Sequence, residues 1–232
     1  MDVQPPSALD LKRAAGFKAV NLVEDGMNIG LGTGSTVHFA LERLAERVHE
    51  GLHIKGVPTS LHTEFLARRL GIPLTTLNEV DLLNLAIDGA DQVDQSGYLI
   101  KGRGAALTRE KCVADASKFL IIVVSEEKLT DRLSGPIPVE VLPFARGHVV
   151  RAIRRIGGTA VLREGADRDG PVITDNGNFI LDCTFPSIAD PPVLEEAIEQ
   201  IPGVISCGLF TAFTKKTVVI VGQSSGVEVR SF

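Results

Sequence analysis

The chain has 232 residues, of which 44% are hydrophobic, and it carries 24 Lys and Arg against 29 Asp and Glu, a formal net charge of −5. This length is sufficient for one large domain or two smaller ones with buried cores. The acidic balance and the lack of basic clusters longer than a pair argue against nucleic-acid binding, and no apolar run approaches the about 18 residues of a membrane span. The N-terminal MDVQPPSALDLKRAAG has no signal-peptide pattern, so we expect a cytoplasmic protein.

The three cysteines are odd in number and widely spaced, at Cys112, Cys183 and Cys207. They form no Cys-x-x-Cys pair, so buried free thiols in a reducing compartment are expected rather than disulfides or metal ligands. Cys112 follows Glu110 by only two residues in a predicted helix, so the two side chains diverge. A cysteine hydrolase is therefore not indicated.

Strands and helices alternate along the first half of the chain. Ser7 and Asp10 predict the N-cap of a helix that runs to about Val23. The segments that follow are the strand MNIGLG, an amphipathic helix, the strand HIKGVP, a helix capped by Ser60, the strands LLNLAID and YLIK, a helix over about 105–116, and the strand KFLIIVV. This alternation is typical of an α/β fold with a doubly wound, mostly parallel, Rossmann-like sheet that binds ligands at the carboxyl ends of its strands.

The pattern changes after about Leu133. The segments PVEVLPF, HVVRAIRRIG, GTAVLRE, NFILDCTF, PVLEEAIEQI and VISCGLF spell strand, helix, strand, strand, helix, strand. This is the order of a ferredoxin-like α+β fold, so we place a smaller second domain at 134–208. The final strands KTVVIVG and GVEVR are expected to return to the first sheet, so the large domain is predicted to comprise 1–133 plus 209–232.

The first strand leads into a glycine-rich turn, GLGTGST, with glycines at positions 30, 32 and 34. A dinucleotide fingerprint requires a third glycine where Ser35 stands and an acid after the next strand, and a triphosphate loop requires a lysine that is missing. Free amides at a helix N-terminus together with the hydroxyls of Thr33, Ser35 and Thr36 suit a single phosphate. The alternative is a tight turn with an ordinary helix cap.

Acidic residues and a second glycine turn follow the most apolar strand. The segment IDGADQVD contains Asp88, Asp91 and Asp94, whose spacing does not fit an EF-hand, although simple turn formation would also explain them. In IKGRGAALTREK, Lys101 and the glycine-turn amides favour a developing oxyanion. Glu110 suits a general base, but its charged neighbours by themselves favour a solvated helix face.

Taken together, these motifs resemble the A-type ribose-5-phosphate isomerase family. The matching strings are GLGTGST, DGAD, KGRGAALTREK, PVEVLPFA, TDNGNFILD, IPGV and GLF, in family order over nearly the whole chain. The resemblance implies interconversion of ribose 5-phosphate and ribulose 5-phosphate through a cis-enediolate, without metal or other cofactor. It further implies a small-molecule sugar phosphate as ligand and a homodimer or homotetramer, while the charge and hydropathy already argue against a nucleic-acid or membrane partner.

The resemblance also assigns roles to individual positions. The catalytic positions it assigns are Glu110, Asp88, Asp91 and Lys101. Glu110 corresponds to the general base between C2 and C1, Asp88 assists ring opening within the contact segment Asp88–Asp91, and Lys101 to Gly104 surround the reacting carbon end. The positions it assigns to substrate binding are Lys12, Thr33, Gly34, Ser35, Thr36, Gly89, Ala90, Gly102, Arg103, Gly104 and Lys128. Arg103 stands where many family members have glycine, and Lys128 lies one residue later than the usual lysine.

Two other functions remain open from the sequence. A non-catalytic sugar-phosphate sensor would normally carry a DNA-binding or partner segment before the first predicted helix. An amino-sugar-phosphate isomerase of similar fold would release ammonia. An assay that separates ribose 5-phosphate isomerisation from ammonia release discriminates among the three.

Overall fold

The structure is a computed structural model that describes residues 7–165 and 169–232. Its α-helices are α1 (Ala8–Val20), α2 (Ser35–His49), α3 (Leu61–Arg69), α4 (Leu107–Asp115), α5 (Arg146–Arg155) and α6 (Pro191–Glu199). Its strands are β1 (Asn28–Leu31), β2 (Lys55–Pro58), β3 (Leu83–Asp88), β4 (Gln92–Val93), β5 (Leu99–Ile100), β6 (Ser117–Ser125), β7 (Ile137–Val141), β8 (Thr159–Leu162), β9 (Phe179–Thr184), β10 (Val204–Cys207), β11 (Leu209–Phe210), β12 (Thr217–Gln223) and β13 (Gly226–Ser231). Across these described ranges, no helix is long and apolar enough to cross a membrane.

The chain divides into two compact units. The first comprises the residues up to Ala90, Arg109–Leu129 and Phe213–Phe232, and the second comprises Asp91–Thr108 and Thr130–Ala212. Segment 91–108 groups with the second unit because its strand β5 pairs with β11. The sequence-based domain limits of 134–208 do not include this segment, and they stay a prediction.

A six-stranded sheet forms the centre of the first unit, in the order β13-β12-β6-β3-β1-β2. All of its neighbouring strands are parallel except β13, which pairs antiparallel with β12. The predicted doubly wound sheet is confirmed, and so is the return of the last two strands to it. Its central strands are apolar on both faces, as expected for a sheet covered on both sides, with Leu85 and Ile121 buried on one face and Ala86 and Ile122 buried on the other.

Local sequence signals fix the helices of this unit. Ser7 and Asp10 form the predicted capping box of α1, in which the Ser7 side chain accepts from the Asp10 amide and the Asp10 carboxylate accepts from the Ser7 amide. Ser60 caps α3 by accepting from the Thr63 amide at 3.1 Å. Both predicted helix starts are therefore confirmed.

The strand YLIK was wrongly assigned to the parallel sheet. Its central residues form β5, which belongs to a separate three-stranded sheet in the order β11-β5-β4. A tight turn causes this, because Asp94 Oδ1 accepts from the amides of Ser96 and Tyr98, both at 2.9 Å, and reverses the chain into an antiparallel hairpin. Asp94 thus serves as a turn former.

An antiparallel sheet in the order β10-β7-β9-β8 dominates the second unit. With α5 and α6 it gives the predicted strand, helix, strand, strand, helix, strand order, so the smaller ferredoxin-like fold is confirmed. Apolar side chains of β7, α5 and β9 form its core, among them Val139, Val149 and Leu181.

Candidate active site

The first glycine turn requires glycine for steric reasons. A Cβ atom at Gly30 would overlap Val113 of α4, and one at Gly32 would overlap the Asp88 carboxylate. The close approach lets Asp88 Oδ1 accept from the Thr33 amide at 3.1 Å and from the Gly89 amide at 2.7 Å. Asp88 is 3% exposed, so it is a buried carboxylate that holds two backbone segments at the carboxyl ends of β1 and β3.

The Thr33 side chain is engaged inside the protein. Its Oγ1 lies 2.9 Å from Thr59 Oγ1, 2.8 Å from Ser60 Oγ and 3.0 Å from Thr63 Oγ1. A hydroxyl donates one hydrogen bond and accepts two, so these three contacts fill its capacity. The sequence analysis missed this hydroxyl cluster, although the cap signal at Ser60 pointed to one of its members.

The turn ends at the N-terminus of α2. Gly34 is the N-cap residue, with φ of 141°, and as a glycine it offers no side chain to the first-turn amides. Of the two hydroxyl residues that open the helix, Ser35 is exposed and Thr36 is 8% exposed. An uncapped helix N-terminus flanked by hydroxyls is chemically suited to an anion such as a phosphate.

Two of the predicted site lysines act on one carboxylate. Burial raises the pKa of Glu127, but the hydrogen bond from Ser125 Oγ at 2.5 Å, a backbone hydrogen bond and, least, the charges of Lys128 and Lys12 together lower the net pKa. Lys12 of α1 and Lys128 of the 3-10 turn Glu126–Lys128 therefore lie on the same side of the first unit.

Glu110 is buried in the first turn of α4, with 5% exposure. The solvated helix face favoured by its charged neighbours is therefore wrong. Val113, which lies one turn later on the same helix face, packs against Gly30, so α4 carries Glu110 towards the end of β1. Its Oε2 atom accepts no hydrogen bond from the residues that the structure describes, although Glu110 does interact with its neighbours.

The second glycine turn lies in the second unit. Lys101 is 3% exposed, its amide donates to Gly208 O at 2.9 Å, and its Nζ lies 5.5 Å from the centre of the Phe210 ring. The Ala105 amide then donates to Gly102 O at 3.0 Å and closes a four-residue turn. Ala105 has φ of 60°, which is rare outside glycine and indicates a strained backbone.

Asp91 fixes this turn from one side. Its Oδ2 accepts from the Arg103 amide at 2.9 Å, and its Oδ1 lies 3.7 Å from Arg103 Nε. The Arg103 amide is therefore already used within the protein. Of the oxyanion donors expected from Gly102, Arg103 and Gly104, the glycine amides remain as candidates.

Arg163 fixes the same turn from the other side, and the sequence analysis missed it. Its NH1 donates to Gly102 O at 2.8 Å and to Arg103 O at 3.0 Å. The side chain comes from the end of β8, far along the chain, and no local pattern in GTAVLRE predicts such a contact.

A buried acid explains the TDNGN motif. Glu140 of β7 is 0% exposed, and its carboxylate accepts from four neutral side chains, namely Thr108, Thr174, Asn176 and Asn178. Three of these donors meet Oε1 of the carboxylate, and Thr108 meets Oε2. Within the second unit, Glu140 therefore holds Thr108, the last residue of segment 91–108, against strand β7.

The predicted site residues fall in both units. Those in the first unit are Lys12, Thr33, Gly34, Ser35, Thr36, Asp88, Gly89, Ala90, Glu110 and Lys128. Those in the second unit are Asp91, Lys101, Gly102, Arg103 and Gly104. The chain passes from one unit to the other directly after Ala90 and directly after Thr108.

The cysteines agree only partly with the expectation of buried thiols. Cys183 and Cys207 are buried, whereas Cys112 is exposed because it lies on the outer face of α4. Burial raises the pKa of the Cys183 thiol to about 12, with smaller contributions from Asp182 and Cys207, so it is no nucleophile near neutral pH. Glu195, Glu199 and Cys207 bring their ligand atoms within 4.8 Å of one another, but Glu195 also accepts from the Thr211 amide at 3.0 Å.

Comparison with known proteins gives a consistent result. The sequence pattern of the ribose 5-phosphate isomerase A (phosphoriboisomerase A) family matches residues 55–226. Ribose-5-phosphate isomerase A of Methanoregula boonei is 56% identical over 218 residues, which cover 94% of this chain and 92% of that protein. The Natronomonas pharaonis protein of the same name is 48% identical over 219 residues, covering 94% of this chain and 96% of the relative.

Solved structures agree with the sequence relatives. Ribose 5-phosphate isomerase A of Methanocaldococcus jannaschii has a TM-score of 0.92 at 44% identity, covering 97% of this chain and 100% of that one. A D-ribose-5-phosphate isomerase in complex with phospho-erythronic acid has a TM-score of 0.94 at 42% identity, covering 98% and 100%. The glycine turns, the buried acids and these matches lead to one conclusion: the chain belongs to the ribose 5-phosphate isomerase A family.

Proposed function

We propose that this chain interconverts D-ribose 5-phosphate and D-ribulose 5-phosphate, the non-oxidative isomerisation step of the pentose phosphate pathway, with Glu110 as the general base. The names of its relatives and the phospho-erythronic acid bound by one solved structure support a sugar phosphate as substrate. The observation that carries the catalytic assignment is the burial of Glu110 on the helix that follows the second glycine turn.

We assign the phosphate to the N-terminus of α2. The first-turn amides and the hydroxyls of Ser35 and Thr36 supply donors there, and Gly34 lets the chain approach the ligand closely. Thr33 shapes the turn instead of donating to the phosphate, since its amide and hydroxyl already have partners. Lys12 and Lys128 add positive charge on their side of this unit.

The reaction at the other end of the sugar needs a base and a way to stabilise charge. Asp88 assists opening of the furanose ring, in contact with the Gly89–Ala90 segment. In the open aldehyde, the Glu110 carboxylate removes the proton from C2, which gives a cis-enediolate. Lys101 and the amides of the turn at Gly102–Gly104 stabilise this charge, and Asp91 holds the turn in place through the Arg103 amide. Glu110 returns the proton to C1 while the O2 proton moves to O1, which leaves the ketone at C2.

Replacement of Glu110 by glutamine tests this proposal. Glu110→Gln keeps the size of the side chain but removes the base, so kcat should fall by a factor on the order of 10² or more at little change in KM. Turnover is followed with ribose 5-phosphate after exhaustive dialysis against EDTA, which should leave the wild-type rate unchanged. Glu24→Gln, at an exposed glutamate, is the matched control.

Near-normal turnover of Glu110→Gln would refute the role of Glu110. A wild-type protein that binds ribose 5-phosphate without converting it would indicate a sensor, and release of ammonia from glucosamine 6-phosphate would indicate the amino-sugar-phosphate reaction. Loss of activity on dialysis, restored by a divalent ion, would contradict the metal-free mechanism.

We also infer a homo-oligomer, a homodimer or homotetramer, that forms through the second unit. Phe144 is 100% exposed, and Leu142 and Ile205 beside the β7 and β10 strands are 43% and 42% exposed. Apolar side chains of this size in one region are typical of a surface that a second copy covers. Light scattering should give a multiple of the 24.8 kDa chain mass, and Phe144→Ser should lower it.

We further propose a cytoplasmic location. Among the described residues the three cysteines form no disulfide, as expected in a reducing compartment. Cell fractionation with an antibody to the protein would test this.

A further inference from the structure

Arg163 is held in a fixed orientation before it reaches the second glycine turn. Its Nε donates to Asp182 Oδ2 at 2.9 Å and its NH2 donates to Asp182 Oδ1 at 2.5 Å, which is a two-pronged ion pair between neighbouring strands. The Arg163 side chain is only 16% exposed. The remaining nitrogen, NH1, is thereby directed to the carbonyl oxygens of Gly102 and Arg103.

These contacts determine the directions in which the C=O and N–H groups of the turn point. The peptide between Gly102 and Arg103 is fixed at both ends, because its oxygen accepts from Arg163 and its N–H donates to Asp91. The oxygen of the next peptide, between Arg103 and Gly104, also accepts a hydrogen bond from Arg163. In a trans peptide the N–H points opposite to the oxygen, so the Gly104 N–H points away from Arg163, at an exposed residue.

We propose that Arg163, oriented by Asp182, is a positioning residue for the isomerisation. It turns the Gly104 N–H outward and polarises that peptide, since a cation on the oxygen makes the N–H a stronger donor to negative charge. Arg163 itself touches no reacting atom. The inference rests on the proposed function in one respect: the turn at Gly102–Gly104 must stabilise the enediolate.

Two properties follow from this role. Loss of the hydrogen bonds from Arg163 to the turn lowers the rate of the chemical step. It leaves phosphate binding unchanged, because the α2 N-terminus belongs to the other unit. Lysine in place of arginine restores little, since an ammonium group cannot hold Asp182 with two nitrogens and still donate to two carbonyl oxygens.

The test compares Arg163→Met with Arg163→Lys, Asp182→Asn and a matched control. Arg230→Met is the control, because Arg230 forms the same two-pronged pair with Glu228 on β13, in the first unit. For Arg163→Met we expect kcat to fall by about 10- to 100-fold, as for a misplaced catalytic group, with KM changed less than about threefold. Arg163→Lys should resemble it, Asp182→Asn should be intermediate, and Arg230→Met should match wild type.

A binding measurement separates positioning from general loosening of the fold. Phospho-erythronic acid carries a carboxylate at the end of the chain opposite its phosphate, so Arg163→Met should weaken its binding by about 10-fold, whereas inorganic phosphate should bind as in wild type. Urea unfolding identifies any variant that is not folded, and Asp182→Asn then takes the place of Arg163→Met.

The outcomes are distinct. A folded Arg163→Met variant with wild-type kcat, or one that loses phospho-erythronic acid and phosphate affinity equally, would overturn the positioning role. If the wild type itself shows no isomerisation, or if Glu110→Gln keeps near-normal turnover, the proposed function or its general base fails instead, and that result does not depend on Arg163.

Discussion

The two glycine turns are anchored in opposite ways. In the first, an acid holds the amide side of the backbone, since Asp88 accepts from Thr33 and Gly89, and a hydroxyl cluster occupies the Thr33 side chain. In the second, a cation holds the carbonyl side, since Arg163 donates to two successive oxygens, and Asp91 takes one amide.

This difference suits the two ends of a sugar phosphate. A phosphate keeps its charge throughout the reaction, so the first turn needs only open amides at a helix N-terminus, which α2 provides without a cap. In the proposed mechanism the negative charge of the enediolate develops only as the C2 proton leaves, so donors held rigidly by the second turn would stabilise it without rearrangement. We propose that the carbonyl oxygens held by Arg163 serve that purpose.

The largest expected effect distinguishes the two acids. Asp88→Asn keeps an oxygen for the Thr33 and Gly89 amides but removes the charge, and because Asp88 is proposed to assist ring opening, kcat should fall on the order of 10³-fold. Asp91→Asn keeps an acceptor for the Arg103 amide, so a loss of about 10-fold is expected. Steady-state kinetics with ribose 5-phosphate measures both. Equal losses would show that the two acids share one role.

A smaller effect concerns Glu140, the buried acid of the second unit that accepts from Thr108. Glu140→Gln places an NH2 group among four donors, so the free energy of unfolding should fall by about 2–3 kcal/mol. Thr108→Val removes one donor only and should cost about 1 kcal/mol. Urea unfolding gives both values. An unchanged midpoint for Glu140→Gln would contradict the four-donor arrangement at this carboxylate.

The smallest effect distinguishes the roles of the Ser35 and Thr33 hydroxyls in the first turn. Ser35→Ala should raise KM by about threefold with unchanged stability, because its exposed hydroxyl is assigned to the phosphate. Thr33→Val should leave KM nearly unchanged but lower the free energy of unfolding by about 1 kcal/mol, because its hydroxyl is used in the cluster. The reverse pattern, in kinetics and urea unfolding, would transfer the phosphate contact to Thr33.

Signals within a few residues of one another predicted most of the fold. The caps at Ser7 and Ser60 and the apolar strands at LLNLAID and KFLIIVV indicated elements that the structure contains. YLIK misled because an apolar run of four residues fits a parallel strand and a hairpin equally well, and the Asp94 turn that decides between them is a side-chain hydrogen bond.

The sequence did not predict the residues that hold the candidate site in place. Glu110 has charged neighbours along the chain and yet is buried, because burial depends on what packs over α4. Arg163 lies about sixty positions from the turn it holds, and Glu140 gathers donors from both directions along the chain. Such contacts depend on the strand order of the second unit, which local patterns do not contain.

The strand order of the first unit has a consequence for synthesis. Strand β6 has β12 as a neighbour, but β12 is translated only after the whole segment of the second unit that follows Thr130. Until then β6 presents an open edge of very apolar residues, Leu120–Val124, which is the kind of edge that recruits other strands. We therefore expect ribosome-bound or truncated chains that stop before Thr217 to aggregate or to bind chaperones. Chains long enough to include β12 should do so less, because β12 then covers the edge of β6.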